Sequence, residues 1–225
     1  MGKLRPILFS TDMVQAILAR NKTQTRRIFK DNPRLASDLS KVDLKDWFKS
    51  YPDLLYSYSA YGRPDDILWV REKFSPPAAS QLEDAFMYAA DYNVPIKGFW
   101  KPSIHMPFEA ARLFLRVKSI RVERLLNITE SDAIAEGVKA VFSRRYNKTR
   151  YKAYHDEKHW SGIAKKVAIH FNTDFDGSGC ETTYGSAVLS FYSLWNLING
   201  KGSSRANPWV WVIEFERISK EEALK

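Results

Sequence analysis

Apolar and polar positions change period several times along the chain, and each change marks an element. Residues 5–9 (Arg-Pro-Ile-Leu-Phe) predict a short strand, after which Ser10 or Thr11 is placed to N-cap a helix with Met13, Ile17 and Leu18 on one face, ending near Asn21. The stretch that follows is polar and irregular, with a helical hint at Leu44–Phe48. The turn Gly62-Arg-Pro-Asp-Asp then releases into Ile67-Leu-Trp-Val-Arg-Glu, whose continuous apolar run predicts a buried strand. Pro76, Pro77, Pro95 and Pro102 mark residues 75–103 as a loop excursion holding a short strand at Phe86–Ala89. Leu113, Leu115 and Val117 alternate with Arg112, Arg116 and Lys118, and the phase changes at Ser119 to give Ile120 and Val122. A long half-exposed strand over 111–125 with a bulge near Ser119 produces this pattern. Thr129 or Ser131 opens a helix through Ala135, stopped by Gly137.

Residues 139–187 lose regular periodicity, being Arg/Lys/Tyr-rich first and Gly/Thr/Asp-rich later, and read as a surface insertion. Helical spacing returns over Val188–Ile198 and ends at Asn199-Gly200. Asn207-Pro208 then launches Trp209-Val-Trp-Val-Ile-Glu-Phe, a strand of high β-propensity. Widely separated strands with helices outside them, and no βαβ rhythm, predict an α+β or mainly β fold, a small mixed or antiparallel barrel rather than a doubly wound sheet.

Length favours one elaborated domain spanning residues 1–225. Thirty-five Lys and Arg against twenty-six Asp and Glu leave a formal charge of +9, and seven Trp, eleven Tyr and thirteen Phe add stacking surface. That pairing favours a polyanionic partner, nucleic acid ahead of lipid. Cys180 is the single cysteine, which excludes an intrachain disulfide framework and a Cys-rich zinc cluster. With no apolar leader at the N-terminus and no stretch near the ~20 apolar residues of a spanning helix, the expected setting is cytoplasmic, with no membrane partner. The sequons at Asn21, Asn127 and Asn147 have no chemical consequence in that setting.

The densest chemistry lies in Asn21-Lys-Thr-Gln-Thr-Arg-Arg27, read as a loop that gathers an amine, two hydroxyls and two guanidiniums. Such a set holds a phosphate or a base edge, or supports nucleophilic attack by a hydroxyl whose proton goes to a lysine of depressed pKa. Burial and the neighbouring Arg26 and Arg27 act in that direction on Lys22.

Four blocks carry a family resemblance: Ile17–Arg26, Asp66–Val70, Ile128–Gly137 and Trp211–Phe215. Together they resemble an ASCH domain, of the superfamily of PUA-like barrels that bind RNA. The chain is most similar to the longer ASCH-type proteins of phages and prophages, which also share Lys101–Pro107 and the Asn207-Pro-Trp-Val-Trp block. The resemblance implies a PUA-like small β-barrel with flanking helices, enlarged by insertions at about 30–60 and 139–187, which have no counterpart in small family members. Small family members that remove acyl groups from N4-acylcytidines use a Lys, a Thr and a Glu, which fall here on Lys22, Thr25 and Glu136. A Glu136 beside Lys22 stabilises the ammonium, in tension with a basic lysine unless Glu136 is protonated or shuttles the proton. The functions implied are binding of RNA or a modified nucleoside in a basic cleft, hydrolysis of an acylated cytidine, or RNA cleavage. No cofactor is implied.

Around that centre, Thr23 and Arg26 are candidate substrate contacts, with Arg71 or Glu72 on a further wall and His105 presented by its Pro-flanked loop. Arg71-Glu72-Lys73 also reads as a solvated strand end, and His105 as a packed or exposed structural residue. Arg27, Arg144, Arg145, Lys148 and Arg150 are candidate nucleic-acid contacts, the last four within Ser143–Lys152, which mixes cations with aromatics as a backbone clamp or a basic loop does. Trp100, Trp209 and Trp211 suit base stacking, although the Trp209/Trp211 pair shares one strand face and reads more readily as core. His155 and His159 have helical i, i+4 spacing but lack the zincin pattern. Asp174-Phe-Asp-Gly-Ser-Gly179 lacks a full calcium-loop spacing, so no metal site is assigned. A phosphate-binding Gly-rich loop followed by Lys-Ser/Thr is missing.

Overall fold

The computed structural model describes residues 2–29, 43–77, 85–92, 100–143, 147–154 and 183–225. Its centre is a five-stranded mixed sheet of order β1-β3-β6-β10-β2. β1 (Leu4–Leu8) runs parallel to β3 (Ile67–Arg71), and the other pairings, with β6 (Phe114–Arg124), β10 (Trp209–Ile218) and β2 (Gln24–Ile28), are antiparallel. A parallel pair needs a crossover. Here it contains α1 (Thr11–Leu18), β2, α2 (Leu44–Ser50) and α3 (Pro52–Tyr58). Three more helices complete the six seen among the described residues: α4 (Glu130–Ala135), α5 (Ala187–Asn199) and α6 (Lys220–Ala223).

Alternation along the central strands divides the apolar residues between two faces. One face joins Ile7, Val70, Leu115, Val117, Trp211 and Ile213 to Val14 and Ile17 of α1 and to Leu44, Phe48 and Leu55 of α2 and α3. The other joins Val210 and Val212 to Leu125, Ile128 and Ala133 and to Phe191 and Trp195 of α5. On β6 the core positions Val117 and Ile120 are three residues apart, one too many for a regular strand. The register absorbs the excess by matching Ser119 to Glu214 and Val117 to Phe215, leaving Lys118 unmatched. The bulge expected near Ser119 is therefore present, and it keeps one apolar side on the core.

Several expectations change. The segment read as a loop at 21–27 is mostly the edge strand β2, because Thr25 and Arg27 pair with Ile213 and Trp211 of β10. Residues 44–58, placed in an insertion, form two helices whose Leu44, Phe48 and Leu55 belong to the core. The described part of 139–187 holds a three-stranded sheet of β7 (Ala140–Ser143), β8 (Lys148–Lys152) and β9 (Thr183–Tyr184). The short strand expected near Phe86 is β5 (Met87–Tyr88), paired with β4 (Phe74–Ser75). Among the described residues the central sheet is open, with β1 and β2 as its edges, rather than closed as a barrel. The Arg27 side chain reaches across the gap, donating to the Leu8 carbonyl at 2.6 Å. No described helix is long and apolar enough to cross a membrane.

Candidate functional site

The turn after α1 places Lys22 against α4. Thr129 caps α4 by accepting from the Asp132 N–H, and the Asp132 carboxylate accepts from the Thr129 N–H in return. That box fixes the helix start and points Asp132 at β2. The helix ends at Glu136, followed by Gly137 at φ 84°. Thr23 N–H donates to the Ala135 carbonyl, tying the entry of β2 to the same helix end.

Lys22 Nζ donates to Glu136 Oε2 at 2.8 Å, to the Glu136 carbonyl at 2.8 Å and to the Gln24 carbonyl at 2.7 Å. Its side chain is 1% exposed and that of Glu136 5%. An ammonium has three N–H bonds, so all its donors are used. Burial pushes the Lys22 pKa below the ordinary lysine value, the Glu136 carboxylate opposes that shift, and Arg27 and Arg26 assist it.

Arg26, with no exposed side-chain surface, lies next in line. Its Nη2 meets Glu123 at 2.5 Å and Asp132 at 3.1 Å, and its Nη1 meets Glu136 at 3.2 Å. Arg121 continues the network outward to Glu123, Asp132 and Glu214. Three cations thus face four carboxylates, so this cluster is compensated and does not offer a free positive charge to a phosphate. Burial alone would raise the Asp132 pKa, but Arg26, the Thr129 N–H and Arg121 hold it below the usual aspartate value. A carboxylate depressed on folding contributes stability that is present above its unfolded pKa and lost as pH falls through the folded one. Urea midpoints recorded from pH 5 down to about 2 should therefore fall less steeply in Asp132→Asn than in the parent; superimposable slopes would contradict the pairing.

A cleft of about 80 Å³ borders β2, lined by Thr25, Arg26, Arg27 and Ile28 of the strand, by Glu136 and by Phe191 and Trp195 of α5. Met13 of α1 also lines it. No hydrogen bond from another described side chain engages the Thr25 hydroxyl.

Lys22 and Arg26 thus meet Glu136 although more than a hundred residues separate them from it, and Thr25 lines the same cleft as Arg26 and Glu136. The other described candidates lie elsewhere, except Arg27, which also lines the cleft. Thr23 is exposed. Arg27 lies over the Phe9 ring at 5.0 Å, with its Nη2 committed to Leu8. Arg71 donates to the Met106 and Ile104 carbonyls and covers Trp69, because odd positions of β3 face away from the main core. Glu72 is 1% exposed and bidentate to Arg112 at 2.9 and 3.0 Å. Neither Arg71 nor Glu72 lines the cleft. His105 is an exposed turn residue. Lys148 is exposed at the start of β8, whereas Arg150 is buried with Nε on Thr183 Oγ1 at 3.1 Å and Nη2 on the Thr183 carbonyl, a structural position rather than a backbone track. Arg144 and Arg145 lie outside the described residues, as do His155, His159 and Asp174–Gly179. Trp211 is core, and Trp209 packs on that core beneath Arg124.

Sequence reasoning did not find Glu123, Asp132, Phe191 and Trp195. Phe191 and Trp195 have the i, i+4 spacing of one helix face, and Asp132 is the N3 residue of a capping box, so each carried a local signal with a structural explanation. Among the described residues no group of three His, Cys, Asp or Glu side chains is placed to hold a metal ion. Comparison with protein-family models, with curated proteins and with solved structures gave no match.

Proposed function

We propose that the cleft over β2 binds a modified nucleoside, free or within single-stranded RNA, in an ASCH-type elaboration of the PUA-like architecture. The observation that carries this reading is the composition of the cleft. The residues that line it include Thr25 and Glu136, which carry a hydroxyl and a carboxylate, and aromatic Phe191 and Trp195, around about 80 Å³ of space that admits the edge of a planar ring. The Thr25 side chain lies on the Ile213 side of the sheet and the two aromatics on the Val212 side. The buried Lys22 and Arg26 orient Glu136 as an acceptor for a ring or exocyclic N–H. They act as positioning residues, since their own charges are consumed by carboxylates. Phosphate recognition, if the ligand is a polymer, falls to cations outside this cluster.

A second reading is hydrolysis of an acylated amino group on the base, favoured by the contact of Lys22 with Glu136, by Thr25 in the same lining as Glu136 and by the burial that lowers the Lys22 pKa. In that reaction a neutral Lys22 takes the Thr25 proton while Thr25 Oγ bonds to the acyl carbon. The carbon–nitrogen bond breaks, the amine leaves with a proton from Lys22, and water cleaves the resulting ester. Lys22 must first lose its ammonium proton despite three acceptors, and that opposition ranks binding ahead of turnover.

Titration of the protein with cytidine and N4-acetylcytidine, with product mass recorded, tests both. Thr25→Val should weaken binding by about 0.5–1.5 kcal/mol, the worth of one hydrogen bond, and should abolish any turnover. Binding of neither nucleoside at millimolar concentration would remove the nucleoside reading. Unchanged turnover in Thr25→Val would remove Thr25 as nucleophile.

A further inference from the structure

In the antiparallel pair of β2 with β10, Phe29 N–H donates to the Trp209 carbonyl and Phe215 N–H to the Thr23 carbonyl. Those bonds set the phase of the ladder. Thr25 and Arg27 exchange hydrogen bonds with β10, with the Thr23 carbonyl and the Phe29 N–H bonding to it at either end, whereas the N–H and C=O of Gln24, Arg26 and Ile28 point away from it, off the free edge of the sheet. Lys22 Nζ already occupies the Gln24 carbonyl. Arg26 and Ile28 have no other main-chain partner among the described residues, and both line the cleft. The β2 side of the cleft is therefore a strand edge, with one acceptor and one donor side by side at Arg26.

The two sheet edges are treated differently by the sequence. β1 carries Pro6, which removes a donor from its edge. β2 carries no proline, and its open positions border the cleft, Arg26 buried there and Ile28 also exposed to solvent. Closure of Gln24 by Lys22 leaves only Arg26 and Ile28, too short a ladder for an added peptide strand but enough for one ring. Buried donors next to the cleft, Trp195 Nε1 and Arg26 Nε, also have no partner among the described residues. Such groups cost stability when unsatisfied, and they weight the cleft toward ligands rich in acceptors.

We infer that the main chain of Arg26 reads the ligand: its N–H donates to a ring carbonyl or ring nitrogen, and its C=O accepts from the adjacent ring or exocyclic N–H. The ligand class is a planar heterocycle with a donor and an acceptor on neighbouring atoms, held edge-on to β2. This assignment rests on the nucleoside reading for its biological ligand but not for its chemistry. These two main-chain contacts persist when a side chain is substituted and add to those offered by Thr25 and Glu136.

The test uses the uniformly ¹⁵N-labelled chain and two pairs of probes. 2-Pyridone, a planar cyclic amide, should shift the Arg26 and Ile28 amide resonances, and N-methyl-2-pyridone should bind about tenfold more weakly because the donor is blocked. Uridine and 3-methyluridine form the corresponding nucleoside pair. If uridine fails but 2-pyridone moves Arg26, the edge assignment stands and the nucleoside reading falls. If nucleosides bind without moving Arg26 or Ile28, and N3-methylation changes nothing, the edge assignment falls and the nucleoside reading stands. Absence of any shift with both 2-pyridone and uridine overturns both.

Discussion

Arg26→Met is expected to lower the free energy of unfolding by about 3–5 kcal/mol at neutral pH, because it strips the shared partner from buried carboxylates. Glu123, Asp132 and Glu136 converge on this one guanidinium, each within 3.2 Å. Once it is gone, only Lys22 and Arg121 remain to compensate them, and Lys22 reaches Glu136 alone. Methionine fills similar volume, so the loss is electrostatic rather than a cavity. Its sign with pH follows: the deficit shrinks as acid protonates the stranded carboxylates, so the variant and parent curves of urea midpoint against pH should converge toward low pH. Arg26→Lys keeps the charge but replaces the planar fork, whose two Nη atoms reach separate carboxylates, with a compact ammonium, and it should fall between parent and Met. A Met variant within about 1 kcal/mol of the parent at every pH would show that the network is not held as described.

Much of this arrangement was legible in the sequence, and the illegible part has physical causes. The β6 bulge could be read because one face of that strand is buried, so a three-residue step from Val117 to Ile120 had to be absorbed somewhere. The N-caps Ser10 and Thr129 could be read from local chemistry alone. β2 could not. Gln24-Thr-Arg-Arg is polar on both faces, and its burial comes from distant partners, β10 on one side and the carboxylates of β6 and α4 on the other. Polar residues buried through long-range pairing imitate a loop when only local pattern is available. The convergence of Lys22 with Glu136 was expected from the family resemblance, whereas the saturation of both cations was not, because nothing in the local pattern ties Glu123 of β6 or Asp132 of α4 to Arg26 across so long a stretch of chain. The basic excess of the whole chain therefore misdescribes this cleft, whose local charge is balanced. Under the proposed function, that local balance favours a neutral ring selected by hydrogen-bond geometry over a polyanion.

Gly137→Ala should destabilise the fold by about 2–5 kcal/mol, and the effect divides into two measurable parts. Gly137 has φ 84°, where an alanine costs about 1–2 kcal/mol in backbone strain. An added Cβ would also lie 2.9 Å from the Cβ of Lys22 and 3.1 Å from that of Ala16. Neither contact atom is the end of a flexible side chain, so relief requires moving the turn that carries Lys22, at roughly 1–3 kcal/mol for overpacking. Gly200 supplies the control. Its φ is 101°, yet an added Cβ there meets nothing within 4 Å, so Gly200→Ala incurs strain alone. Gly137→Asn tolerates the left-handed backbone better but keeps the Cβ, so it should recover the strain and not the contact. Urea unfolding of the three variants should rank Gly137→Ala as least stable, with Gly137→Asn retaining the contact penalty. Only the Gly137 pair should weaken ligand binding, since displacing Lys22 releases Glu136 from its place at the cleft while Gly200 lies past the end of α5. Equal losses at Gly137 and Gly200, with affinity unaffected by either, would mean that the approach of α4 to Lys22 is looser than 2.9 Å and that Glu136 is positioned by something else.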